Sequence, residues 1–74
     1  MSDIRYEVVR NIAVLSEPSR AGWVKELNII SWNGSQPKFD IREWGPNEKF
    51  SKGVTLTTEQ MRKVKEALNQ MDDL

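Results

Sequence analysis

Hydrophobic residues alternate with polar residues along three stretches of the chain, which is the pattern of half-buried β-strands. The first stretch runs from Ile4 to Leu15, is rich in β-branched residues and contains no Gly or Pro. The second runs from Trp23 to Trp32, and the third, Lys38 to Trp44, alternates strictly. Val54–Leu56 offers a short fourth stretch. The pattern therefore predicts four strands.

The alternation also assigns side chains to the two faces of these strands. Phe39 and Ile41 share one face of the third strand, and Trp32 lies on the side of the second strand opposite Leu27 and Ile29. Because side chains in a strand point alternately to opposite sides, we expect the second face of the third strand to be exposed to water. The residues on that face are Lys38, Asp40, Arg42 and Trp44.

Turn-forming residues separate the strands, and a helix is predicted after the last of them. Asn33 and Gly34 form the Asn-Gly pair that is typical of a two-residue hairpin turn. Thr57 and Gln60 have the spacing of a capping box at a helix start. Apolar residues then recur at helical intervals on one face. These residues are Met61, Val64, Leu68 and Met71.

The length of the chain suggests how such a domain is stabilised. A single domain spanning residues 1–74 buries only about 60% of the surface that its unfolded chain exposes. The chain has no cysteine, so disulfides cannot compensate. Since the apolar helix stripe exceeds what one small sheet face needs, we expect a homodimer that uses this stripe as its interface. The first residues form neither a signal peptide nor a membrane span, which predicts a cytoplasmic protein.

Catalytic chemistry has few candidate groups in this sequence. The chain contains no histidine and no cysteine, the side chains that most often move protons or act as nucleophiles near neutral pH. The carboxylates are scattered, with no spacing that suggests a calcium loop, and no Gly-rich phosphate loop is present. We therefore expect no enzyme activity, no metal, no cofactor and no small-molecule substrate.

Net charge gives no support for a polyanionic partner. The chain has 11 Lys and Arg against 11 Asp and Glu, a formal net charge of zero. Binding to a nucleic acid must therefore depend on where the charges lie. The segment Ala21–Leu56 is slightly basic, whereas Asp72 and Asp73 place acidic charge near the end.

Aromatic side chains offer the clearest candidate chemistry, because an exposed ring stacks on a base for about 1–3 kcal/mol while lysines attract the phosphates. Trp32 and Trp44 lie beside turns, on faces that carry polar residues, which favours this role over a place in the core. Phe50 fits equally well as a core plug or as a stacking platform. The nearby lysines fit either phosphate contacts or ordinary solvated surface; they are Lys25, Lys38, Lys49 and Lys52.

Two segments resemble a known family. The run Phe39-Asp40-Ile41-Arg42-Glu43-Trp44 and the helix entry Lys52-Gly53-Val54-Thr55-Leu56-Thr57 are similar to the core domain of the transcriptional coactivator p15, also called positive cofactor four. The similarity is strongest to its compact bacterial relatives of the YdbC type and runs from Trp23 to Asp72. It implies an α+β fold, a curved four-stranded antiparallel sheet with one C-terminal helix. It also implies a homodimer whose two sheets present grooves for unpaired DNA.

The resemblance assigns roles to individual residues. Arg42 falls at an arginine that contacts the nucleic-acid backbone, Trp44 at or beside a stacking aromatic, and Trp32 at the hairpin aromatic. Lys52 falls at the loop lysine before the glycine, and Lys25 matches a basic position more loosely. The chain departs from the family pattern at three places, which bear on its affinity for nucleic acid. Ile30 and Asn33 replace basic residues of eukaryotic relatives, and the loop before Gly53 is shorter.

Two functional hypotheses follow. The first is a single-stranded DNA-binding protein with weak sequence preference, with a role in transcription regulation or wherever duplexes are opened, and with RNA as a second ligand. The second is a protein-interaction module that grips an extended peptide with Trp32, Trp44 and Phe50. The cations distinguish the two, because only a nucleic-acid groove requires them beside the rings. The predicted nucleic-acid site comprises Lys25, Trp32, Lys38, Arg42, Trp44, Lys49, Phe50 and Lys52.

Overall fold

Four antiparallel strands are followed by one helix in the computed structural model, which describes residues 4–74. The strands pair in chain order, so each is joined to the next by a hairpin or loop. The predicted α+β class is confirmed, although residues 1–3 of the predicted domain lie outside the described range. The elements are β1 (Tyr6–Val14), β2 (Val24–Trp32), β3 (Lys38–Trp44), β4 (Val54–Leu56) and α1 (Thr58–Asn69), with a 3-10 turn at Pro46–Glu48.

The hairpin between β2 and β3 turns at the predicted Asn-Gly pair. Asn33 and Gly34 have φ angles of 52° and 74°, the positive values that a type I′ turn requires at both central positions. The Ser35 backbone N–H donates to the Trp32 carbonyl oxygen at 2.9 Å and closes the turn. The prediction from this dipeptide is confirmed.

Strand β1 is irregular where it pairs with β2. The register shifts between Val8 and Arg10 and again between Asn11 and Ala13, so β1 carries two bulges. A bulge bends its strand and increases the local twist. The two shifts therefore contribute to the curvature of this side of the sheet.

The sheet coils so strongly that the face expected to be exposed to water is concave and largely covered. Tyr6 is opposite Trp32 in the register, whereas Trp44 is opposite Val24. Although the eight-residue interval along β2 corresponds to about 26 Å in an extended strand, the rings of Tyr6 and Trp44 are only 5.4 Å apart. The expectation of a solvated face on β3 is therefore wrong at its centre. The fully buried side chains on this face are Asn28, Ile30 and Asp40.

Helix α1 begins with the predicted capping box. The Gln60 backbone N–H donates to Thr57 Oγ1 at 3.1 Å, and the Thr57 backbone N–H donates to Gln60 Oε1 at 2.9 Å. The helix packs on β3 and β4. Met61 is half-buried, but Val64 and Leu68 stay 40% and 44% exposed.

The last residue of the predicted helix stripe lies outside the helix. Helix α1 ends at Asn69, with Gln70 as its C-cap, so Met71 follows the helix rather than belonging to it. The Met71 backbone N–H still donates to the Leu68 carbonyl oxygen at 3.1 Å, and its side chain is 47% exposed. An apolar periodicity does not mark the residue at which helical hydrogen bonding stops.

Candidate nucleic-acid interface

Four aromatic rings meet over the concave face and form what we call the ring cluster, defined as Tyr6, Trp32, Trp44 and Phe50. The centroid of the Tyr6 ring lies 5.4 Å from the ring centroid of each of Trp32 and Trp44. The Phe50 centroid lies 5.3 Å from that of Trp32 and 5.4 Å from that of Trp44. Tyr6 and Phe50 are themselves 5.5 Å apart. All four side chains are half-buried. The cluster therefore covers the concave face, and none of its four residues is fully buried.

Phe50 reaches the cluster because the loop after β3 turns back on itself. The Gly45 backbone N–H donates to the Lys49 carbonyl oxygen at 2.8 Å, and Phe50 forms a bridge with Trp44. The turn includes two non-glycine residues with positive φ, Asn47 at 58° and Glu48 at 59°. Phe50 thus packs on both tryptophans and is half-buried, which is compatible with either of its two predicted roles.

A buried ion pair lies beside the rings. Arg42 Nε and Nη2 donate to the two carboxylate oxygens of Asp40, each at 2.7 Å. Trp32 Nε1 donates to the same carboxylate at 3.2 Å, and the Arg42 guanidinium carbon lies 4.5 Å from the Trp32 ring centroid. The Asp40 side chain has no exposed surface and that of Arg42 is 12% exposed. This pair therefore fixes both the plane of the guanidinium and the orientation of Trp32.

Most of the hydrogen-bonding capacity of Arg42 is used inside the chain. Its Nη1 donates to the Ser51 carbonyl oxygen at 3.2 Å, in addition to the two bonds to Asp40. A guanidinium has five N–H donors, so about two remain for an external acceptor. The structure thus gives Arg42 a supporting role for Trp32 and Phe50, while its predicted contact with a nucleic-acid backbone stays a prediction.

Gly53 lies directly before β4 and packs closely against Arg42 because it has no side chain. A Cβ atom at Gly53 would lie within 3.0 Å of the Arg42 side chain and of the Ile41 carbonyl oxygen. Close packing therefore requires a glycine after Lys52, since a larger residue would displace Arg42.

The predicted lysines lie on different sides of the sheet, and all are exposed. Lys38 is opposite Ile30 on the face that carries the rings, and Lys49 directly precedes Phe50. Lys25 alternates onto the other face, where it and Lys52 line an open cleft of about 350 Å³. The structure thus brings Trp32, Trp44, Phe50 and Arg42 together, with Lys38 on the same face and Lys49 next to Phe50, whereas Lys25 and Lys52 lie at the cleft on the other face.

Tyr6 was not among the predicted site residues, although it contacts the other three rings of the cluster. Its place depends on the β1–β2 register, which sets it opposite Trp32, and on the coiling that brings Trp44 near. Alternation in β1 alone puts Tyr6 on a face but does not identify its neighbours. An aromatic near the start of the first strand was the available signal.

The described part of the chain gives no sign of a metal site or a membrane-spanning helix. In residues 4–74, no group of three or more His, Cys, Asp or Glu side chains is placed to hold a metal ion. No helix in the same range is long and apolar enough to cross a bilayer.

Comparison with known proteins gives two findings. Residues 19–67 match the family Transcriptional Coactivator p15 (PC4), and this segment runs from the loop before β2 into helix α1. An uncharacterized protein of Treponema pallidum (strain Nichols) is 49% identical over 70 residues, which cover 93% of this chain and 81% of that protein. The family match covers β2, β3, β4 and the loop that carries Phe50, but not β1 or Tyr6.

Proposed function

The chain belongs to the Transcriptional Coactivator p15 (PC4) family of nucleic-acid-binding, non-enzymatic domains, and from this premise we propose that it binds single-stranded DNA as a homodimer. In this proposal the ring cluster contacts unpaired bases while exposed lysines contact the phosphates. The cellular role that fits is transcription regulation or the handling of opened duplexes. Weak sequence preference is expected, because every base has a face on which a ring can stack.

The observation that carries the proposal is the half-buried ring cluster on a concave face that also carries the exposed Lys38. Arg42 and Asp40 hold Trp32, so its accessible surface is already oriented before a ligand arrives. Such preorganisation lowers the ordering cost of binding. Asp40 and Arg42 form a pair with no net charge, so the exposed lysines are the groups that attract phosphates in this proposal.

Surface area supports the homodimer. The chain exposes 6114 Å², whereas a compact monomer of 8.6 kDa exposes about 4,700 Å². The excess, about 1,400 Å², is more than the roughly 800 Å² that one partner contributes to a standard interface. The exposed apolar residues of α1, Val64 and Leu68, and the following Met71 are the proposed contact surface.

The decisive experiment is a titration of the protein with fluorescently labelled oligo-dT, oligo-U and a DNA duplex of equal length, followed by anisotropy. Oligo-dT is expected to bind most tightly, and intrinsic tryptophan fluorescence is expected to fall as the rings stack on bases. A proline-rich peptide is included as a fourth ligand. Oligo-U binding as tight as oligo-dT binding would extend the ligand to RNA, because no 2′-hydroxyl would be discriminated.

The same titration contains the outcomes that contradict the proposal. A duplex preferred over both single strands would exclude stacking on unpaired bases. Binding of the peptide with no binding of any oligonucleotide would favour a protein-interaction module built on the same rings. Unchanged tryptophan fluorescence during oligo-dT binding would move the contact away from the ring cluster.

A further inference from the structure

The two tryptophans of the ring cluster are held in different ways. Trp32 donates its indole N–H to Asp40 at 3.2 Å. The indole nitrogen of Trp44 is buried and has no hydrogen-bond partner among the described residues. The Trp44 side chain is therefore held by contacts other than a hydrogen bond from its indole nitrogen to a described residue. For Trp44 those contacts include the rings of Tyr6 and Phe50, at 5.4 Å each.

Tyr6 is anchored independently of Trp44. It is directly opposite Trp32 in the β1–β2 register, and directly opposed aromatic pairs stabilise a sheet. The start of β1 is also fastened to the β2–β3 turn, because the Arg5 backbone N–H donates to Asn33 Oδ1 at 2.9 Å and the Asn33 backbone N–H donates to the Arg5 carbonyl oxygen at 2.7 Å. Tyr6 is therefore a fixed point against which Trp44 packs.

We propose that Tyr6 is a positioning residue for nucleic-acid binding, which holds the Trp44 ring in the orientation that stacks on a base. The proposal rests on the proposed function, and it adds strand β1 to the strands that form the nucleic-acid-binding site. Strand β1 lies outside the family match at residues 19–67, so that match assigns nothing to Tyr6. The match to the Treponema protein covers 93% of the chain, leaves only about five residues outside, and therefore includes β1.

The contact geometry explains why a ring is required at this position. Tyr6 is tilted by 43° to Trp32 and 50° to Trp44, and it meets Phe50 nearly edge-on at 77°. Tilted and edge-on arrangements are the favourable ones for aromatic pairs. An aliphatic side chain fills part of the space but does not restrict the rotation of Trp44, so binding would have to pay the entropy of ordering that ring.

The test compares Tyr6→Leu, Tyr6→Phe and the control Val8→Ala, which changes the next ring-face residue of the same strand. Affinity is measured with labelled oligo-dT, the folded fraction by far-UV circular dichroism, and the tryptophan environment by near-UV circular dichroism. Tyr6→Leu is expected to bind about tenfold more weakly with an altered near-UV spectrum, a change of the size that one aromatic pair supports. Tyr6→Phe is expected to bind within about twofold of the parent, because the ring is kept.

A double-mutant cycle separates positioning from general stability. In a Trp44→Leu background, Tyr6→Leu is expected to have little further effect on affinity, because the ring that it positions is gone. An undiminished affinity of folded Tyr6→Leu, or an equal loss in Val8→Ala, would overturn the proposal. If Tyr6→Leu does not fold, Tyr6→Met replaces it in the same comparisons. A parent protein that fails to bind oligo-dT overturns the proposed function itself and the role of Tyr6 with it.

Discussion

Asp40 is a charged residue with no exposed side-chain surface, placed under the rings that are proposed to bind DNA. It accepts two hydrogen bonds from Arg42 and one from Trp32. A buried ion pair of this kind adds little stability compared with an apolar pair, but removing one partner leaves an uncompensated charge. Asp40 is therefore best understood as an orienting group for two neighbours.

Replacing Asp40 by Asn is expected to lower the free energy of unfolding by about 3 kcal/mol, because the Arg42 guanidinium stays largely buried without its counter-charge. Urea denaturation measures the loss. Glu43→Gln, an exposed carboxylate on the same strand, is the matched control and is expected to stay within about 0.5 kcal/mol of the parent. Equal midpoints for the two variants would mean that the buried pair contributes nothing.

Lys52 is the loop cation for which a phosphate contact is predicted. Lys52→Ala is expected to weaken binding to every single-stranded sequence alike and to reduce the slope of log K against log salt by about 0.7. Anisotropy titrations at several salt concentrations give the slope, with Lys63→Ala on the exposed side of α1 as the control. A slope equal to that of the parent would make Lys52 an ordinary solvated lysine.

Some individual residues could be placed from the sequence and others could not. Alternation correctly put Trp44 and Arg42 on one face of β3, because that property is local to the strand. The burial of Asp40 and the contact between Tyr6 and Trp44 depend on how far the whole sheet coils. Coiling arises from twist and bulges distributed over several strands, which no short sequence pattern reports.

Among the elements, the loop from β3 to β4 does the most to build the site. It returns Phe50 to Trp44, directs Ser51 to the Arg42 guanidinium, and places Gly53 against Arg42. The start of α1 and the β2–β3 turn could be anticipated, since a capping box and an Asn-Gly pair act within a few residues. The conformation of this loop could not, because Asn47 and Glu48 adopt positive φ angles without a glycine to indicate them.

The close approach at Gly53 makes the loop testable. Gly53→Ala is expected to lower the free energy of unfolding by about 1–3 kcal/mol, the usual cost of overpacking, and to weaken oligo-dT binding by displacing Arg42 from Trp32. Gly34→Ala is the matched control: its Cβ meets nothing within 4 Å, but its φ of +74° makes any side chain strained. It is expected to cost about 1–2 kcal/mol of stability while leaving oligo-dT affinity unchanged. Unaltered affinity in Gly53→Ala would separate Arg42 from the binding site.

The whole molecule is more open than its length requires. Its radius of gyration is 13.8 Å, compared with about 11 Å for a compact domain of 74 residues. Ile30 is the one fully buried apolar residue in the described range. Helix α1 packs on β3 and β4 while much of its apolar stripe faces outward. A second copy covering that stripe would supply the apolar core that one chain lacks.

Val64→Asp is the prediction that tests this association. Val64 is 40% exposed on the helix stripe, so a carboxylate there is tolerated by a monomer but is desolvated without a partner charge in a dimer interface. Sedimentation at low micromolar concentration is expected to give a dimer for the parent and a monomer for Val64→Asp. Asn69→Asp introduces the same charge at an exposed helix position and is expected to remain dimeric. If the binding groove spans two subunits, Val64→Asp also weakens oligo-dT binding. A monomeric mass for the parent protein would contradict the dimer, and each sheet would then have to bind DNA alone.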